Sequence, residues 1–159
     1  FPKAGAAAMN RSQQKFRGMA VGQVTDRFNI RKGEVNGKLF VKRATPSNLV
    51  VTMKSTSRRL TVMRFDARET TIGSGVALQI VRGQTKVIRG GFINKVNGNK
   101  MVLKRTTKAR YPLDVVRTIS VTEMLASVDA SKNTHKLFLQ ILEPELTRTI
   151  KAFHELGRE

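Results

Sequence analysis

The chain has 159 residues, 40% of them apolar and 26% charged, a balance that fits one folded domain with a core and excludes extended disorder. No apolar run approaches the roughly 20 residues a spanning helix needs, and the absence of cysteine removes disulfides, thiolate metal sites and cysteine nucleophiles. Thirty Lys and Arg against 11 Asp and Glu give a net charge of +19, which points to a polyanionic partner.

The excess charge is confined to the first two-thirds. Residues 1–110 hold 24 basic and 4 acidic side chains, a net of +20, whereas residues 111–159 hold 6 basic and 7 acidic, a net of −1. The opening Phe1-Pro2-Lys3-Ala4-Gly5-Ala6-Ala7-Ala8 is small, basic and non-periodic and lacks an initiator Met. It reads as a processed or trimmed start, with residues 1–15 as a flexible segment ahead of one domain over 16–159.

In chain order, Phe16 to Val24 is rich in β-branched residues and reads as a strand. Asn36-Gly37 supplies the two positive-φ positions of a type I′ turn, so residues 28–35 and 38–44 are expected to pair as a hairpin. Leu49 to Lys54 follows as a strand. Ser57 to Ala67 reads as a short helix, by analogy with Thr122 to Val128, where Thr122 stands as a capping residue ahead of helix formers. Val76 to Arg82 is a strand. Residues 85–96 and 100–107 form a second hairpin around Asn97-Gly98, with a bulge at Gly90-Gly91. Val115 to Val121 completes about eight strands. From Thr134 to Leu156, apolar residues at three- and four-residue spacings predict an amphipathic helix, interrupted near Pro144.

The two Asn-Gly segments also resemble each other. Val35-Asn36-Gly37-Lys38-Leu39-Phe40-Val41-Lys42-Arg43-Ala44-Thr45 matches Val96-Asn97-Gly98-Asn99-Lys100-Met101-Val102-Leu103-Lys104-Arg105-Thr106-Thr107 with one inserted Asn. This suggests repeated halves, about 16–70 and 71–130. The expected fold class is α+β: two antiparallel four-stranded sheets, each followed by a helix, and a C-terminal amphipathic helix over about 134–156.

Basic side chains alternate with apolar ones on the expected strands, and period two would gather them onto one sheet face. The candidate binding residues are Lys38, Lys42, Arg43, Lys54, Arg82, Lys86, Arg89, Lys95, Lys100, Lys104, Arg105, Lys108 and Arg110. With no Trp and one Tyr, such a face is suited to gripping phosphates rather than stacking bases. Neither Ile72-Gly73-Ser74-Gly75 nor Arg89-Gly90-Gly91 has the Gly-Lys-Ser/Thr ending of a P-loop. His135 and His154 lie 19 residues apart with no companion ligands, and the acidic residues of the basic region are scattered. No catalytic role, cofactor, metal, membrane or small-molecule substrate is expected.

Lys86 to Val96, Lys100 to Lys104 and Val115 to Val128 resemble the Whirly-like mitochondrial guide-RNA-binding proteins of kinetoplastids, over about a third of the chain. The Lys-Gly-Lys-Ala-Ala-Leu stretch of plant Whirly proteins has only a partial echo in Asn36-Gly37-Lys38-Leu39. The resemblance implies a subunit of a heterotetramer with a related Whirly-like partner, in the mitochondrial matrix. It would hold guide RNA by its phosphates and promote RNA annealing in RNA editing. A structural mitochondrial ribosomal protein and a single-stranded DNA-binding Whirly-type protein stand as alternatives.

Overall fold

A computed structural model describes residues 2–71, 74–128 and 133–156; Phe1 and the Ile72-Gly73 pair lie outside the described residues. The architecture is α+β with antiparallel sheets. Helix α1 (Pro2–Arg27) leads into the short α2 (Lys32–Asn36) and strands β1 (Leu39–Lys42) and β2 (Thr52–Ser55). A single 3-10 turn (Val62–Phe65) precedes β3 (Arg68–Thr70), β4 (Gly75–Gln79), β5 (Thr85–Arg89), β6 (Gly91–Val96), β7 (Asn99–Arg105) and β8 (Leu113–Val115). Helices α3 (Val121–Ala126) and α4 (Thr134–Leu156) follow.

Instead of two four-stranded sheets, the strands form three smaller ones: β1-β2, β3-β4-β5 and β6-β7-β8. The expected continuous strand over 85–96 is divided at Gly90, whose φ of 69° turns the chain out of one sheet and into the next. Glu69 ties these two sheets together by accepting the Ile93 N–H at 2.9 Å.

The largest departure is at the start. Residues 2–15, expected to be flexible, and Phe16 to Val24, expected to be a strand, together form α1. Ala4, Ala8, Ser12, Phe16, Ala20 and Val24 recur at every fourth position and are all buried, the signature of a helix ridge. The small side chains at its first three positions let α4 lie close against it. Phe16 meets Phe138 of α4 edge to face, with centroids 6.2 Å apart. Lys15 pairs with the buried Glu145 of α4, while the Ser12 hydroxyl donates back to the Ala8 carbonyl.

The first Asn-Gly does not make a hairpin. Gly37 has φ −65° and ψ −9°, and it caps α2 by donating its N–H to the Gly33 carbonyl. The expected repeat therefore has no structural counterpart, because one copy ends a helix while the other turns a hairpin. Ser57 to Ala67 is helical only over the 3-10 turn. Before it, Leu60 runs extended between Ile119 and Thr118, donating to the first and accepting from the second. At its end, Asp66 adopts the left-handed conformation at φ 54°.

Helix α3 begins one residue before the expected Thr122. Its cap is Ser120, which closes a reciprocal capping box with Glu123, satisfying two otherwise orphan N–H groups. These hydrogen bonds from Ser120 hold the Glu123 carboxyl below its ordinary pKa. Helix α4 runs without a break through Pro144, whose ring is exposed. The core joins Phe16, Val24 and Phe28 to Val35, Val62, Phe65, Val76, Val102, Val121 and Met124, so α1 and every sheet share one apolar interior.

Candidate binding surface

The β6–β7 hairpin projects the densest set of cations. Its tip is a type I′ turn, as the sequence leads one to expect, with Asn97 at φ 49° and Gly98 at φ 79°, and the pairing register follows from it. Lys95 stands opposite Lys100, Ile93 opposite Val102, and Gly91 opposite Lys104. Cross-strand partners share a face, and side chains alternate along each strand. Lys95, Lys100 and Lys104 therefore lie on one face around the fully buried Val102. Lys104 in turn stands opposite Asp114 of β8. The Lys95–Lys100 pair has no such counterweight, and like charges directly opposed across strands repel.

Single-face alternation fails elsewhere. Val102 and Leu103, neighbours on opposite faces of β7, are both buried, because the middle of the strand is covered on both sides. Arg105 lies on the reverse face, with its guanidinium 5.8 Å from the Phe92 ring. In β5, Lys86 stands opposite Leu78, on the face of Val76 and Ile88. Arg89 shares the other face with Val87.

The remaining candidates are dispersed. Lys38 is half-buried in the turn before β1. Lys42 and Lys54 belong to the separate two-stranded sheet, and Arg43 follows β1. Lys108 and Arg110 occupy the exposed loop after β7, with Arg110 stacked 5.8 Å from the Tyr111 ring. The expected single basic platform is thus three sheets, a turn and a loop. Among the described residues, only Lys15, Arg64 and Arg68 pair with carboxylates, so most of the positive charge is uncompensated.

The structure also brings together residues that strand patterning could not. An open cleft of about 1030 Å³ runs between the end of α1, α2, the 3-10 turn and the start of β7. Arg82 and Lys100, from the sequence candidates, reach it together with Arg31, Lys32 and Arg64. Two of these cations are already engaged. Arg64 pairs with Glu34, and Arg82 donates to the Thr25 carbonyl at 2.7 Å. Arg31, Lys32 and Lys100 have no ion-pair partner among the described residues, and Asp26, Glu34 and Asp66 line the same cleft, so its five cations face three carboxylates. No sequence motif marks Arg31 or Lys32, since they sit at a helix start whose residue pattern is that of a strand.

Two comparisons find nothing: no curated protein and no solved structure matches the chain. A family model described as prophage minor tail protein Z (GPZ) matches residues 1–156. This match overturns the resemblance to kinetoplastid guide-RNA-binding proteins. With it go guide-RNA binding, annealing and editing, RNA and a Whirly-like subunit as partners, and the mitochondrial matrix as location. The physical reason is that an excess of cations on strands selects an anionic partner, and acidic protein surfaces satisfy that requirement as phosphates do.

Proposed function

The chain belongs to the prophage minor tail protein Z family, and from that premise we propose that it is a structural, non-catalytic subunit of a phage tail. It docks onto neighbouring tail proteins through the basic hairpin and the adjoining cleft. The observation that carries this reading is the Lys95–Lys100–Lys104 face, with directly opposed lysines at the hairpin tip. Such an arrangement costs stability in the free chain and is relieved when a partner supplies carboxylates. Complementary charge of this kind sets orientation and speeds encounter more than it adds affinity, which suits ordered assembly. Exposed Phe40, Val87 and Tyr111 add apolar contact area among the cations.

The test is complementation of an induced prophage whose copy of this gene has been deleted. The wild-type chain is expected to co-purify with tail particles and restore infectivity. A chain carrying Lys95→Glu, Lys100→Glu and Lys104→Glu is expected to fold but remain unassembled. Equal incorporation of both chains would overturn the role of the basic face, and absence of the wild-type chain from tail particles would overturn the structural assignment.

A further inference from the structure

Strand β5 forms one margin of its sheet, bonded to β4 and to no other strand among the described residues. The Gly90 N–H donates to the Ser74 carbonyl at 3.0 Å, and with the register of the two strands this fixes the phase of the ladder. Bonded and non-bonded pairs alternate along an antiparallel ladder, so Lys86 and Ile88 direct their N–H and C=O groups at β4. Thr85, Val87 and Arg89 direct theirs away from the sheet. Among the described residues no hydrogen bond reaches those outward groups, and Thr85, Lys86, Val87 and Arg89 are all exposed. The margin of the neighbouring sheet is treated differently, since the Ile93 N–H of β6 is taken up by the Glu69 carboxylate.

We propose that the free margin of β5 receives an extended acidic segment of another protein as an added antiparallel strand. Main-chain bonds to Thr85, Val87 and Arg89 hold the segment, and its side chains decide which segment is accepted.

Charge selects the occupant. Lys86 and Arg89 lie on opposite faces of β5, and neither has an ion-pair partner among the described residues. Residues directly opposed across a ladder share a face. In an added antiparallel strand, the residue following the one opposite Val87 therefore meets Lys86, and the residue two before it meets Arg89. Carboxylates at those two positions, with an apolar side chain between them against Val87, complement the edge. A second copy does not, because two β5 strands side by side carry four cations and no carboxylate. Lysines on an open edge guard it against such pairing, and an acidic strand turns the same guard into recognition. This inference rests on β5 alone and holds or fails separately from the tail assignment and the basic hairpin.

The experiment is amide solvent exchange, read by NMR on the isotope-labelled full chain with and without the capped peptide Thr-Glu-Thr-Val-Glu-Thr at about 1 mM. Exchange of the Thr85, Val87 and Arg89 N–H groups is expected to slow about threefold or more, the factor 1 + [L]/Kd for a Kd of about 0.5 mM. The same peptide N-methylated at its valine keeps its charge but loses the central donor, and is expected to give no protection. Equal protection by both peptides would reduce the effect to attraction of charge and overturn the added strand, and no protection by either would overturn the proposal. Lys86→Gln combined with Arg89→Gln, both at exposed positions, is expected to abolish the protection, and its persistence would overturn the charge selection. The chain carrying Lys95→Glu, Lys100→Glu and Lys104→Glu is expected to keep the protection, whereas its loss there would move the peptide to the hairpin and overturn the assignment to β5. Protection that grows with protein concentration in the absence of peptide would give the edge to a second copy and likewise overturn it.

Discussion

Substituting Ala for Gly75 probes the packing of β4 on β5. Gly75 stands opposite Arg89 in the ladder, and a Cβ built there would collide with the Ile88 carbonyl oxygen. It would also lie 2.9 Å from the Ile88 carbonyl carbon and 3.1 Å from the Arg89 Cα. All three are backbone atoms of a paired strand, so no side-chain rotation relieves the overlap. Forcing extra volume into such a site costs about 1–3 kcal/mol, and displacing β5 loses a ladder hydrogen bond worth about 0.5–1.5 kcal/mol. Restricting the unfolded chain returns about 0.4–1 kcal/mol. The net is a destabilisation of about 2 kcal/mol. With a urea dependence of roughly 2 kcal/mol per molar, the unfolding midpoint of Gly75→Ala is expected about 1 M below that of the wild type, with an unchanged slope. An unchanged midpoint would refute the reasoning, because it would mean the two strands separate at no cost.

Gly18 and Gly22 of α1 have open space where a Cβ would stand, with no neighbouring atom within 4 Å, so Gly18→Ala and Gly22→Ala are each expected to stabilise by about 0.5–1 kcal/mol, read as higher urea midpoints. Leu103→Ala, at a buried position, should cost about 2–5 kcal/mol. The triple change of Lys95, Lys100 and Lys104 to Ala should leave stability unchanged or slightly raised, since it removes an opposed like-charge pair. The Glu145 carboxyl is held below its ordinary value of 4.5 by the hydrogen bond from Lys15, with burial acting in the opposite direction. The stability it contributes is therefore present above about pH 4.5 and is lost as pH falls through the lower native value. Urea midpoints measured from neutrality down to about pH 3 should show this acid loss in the wild type and less of it in Glu145→Gln.

Two identical dipeptides show how far the fold was legible. Asn97-Gly98 is flanked on both sides by residues that can pair, and it forms the hairpin its chemistry predicts. Asn36-Gly37 follows Lys32-Gly33-Glu34-Val35, which closes a helical turn before the dipeptide is reached, so the same two residues finish a helix. Helix α1 was hidden for a related reason. Its Gly5, Gly18 and Gly22 weaken intrinsic helicity, and the burial that compensates comes from distant parts of the chain, the core residues between Val35 and Val128 and α4. The spacing of α4 itself is local and regular, and its span agrees with expectation. At the candidate surface, period two suffices to put Lys95, Lys100 and Lys104 together, since all three lie in one hairpin. It cannot assemble Arg31, Lys32 and Lys100 around a cleft, because that depends on how a helix end meets a strand from another part of the chain.

The packing of α1 on α4 also sets the order in which the molecule can fold. Lys15 and Glu145 meet across 130 positions of sequence, and closing so long a loop must precede any reward from the contact. During synthesis the whole of α1 emerges early; its Phe16–Val24 part can pack on core residues between Val35 and Val128, but the side that Lys15 and Phe16 present to α4 stays uncovered until residues 134–156 follow. Refolding is therefore expected to be limited by docking of these two helices, after the β6–β7 hairpin has closed on its two-residue turn. For the same reason, trimming α4 would leave the side of α1 that it covers facing water, turning that side into an adhesive surface at a distance from the cut.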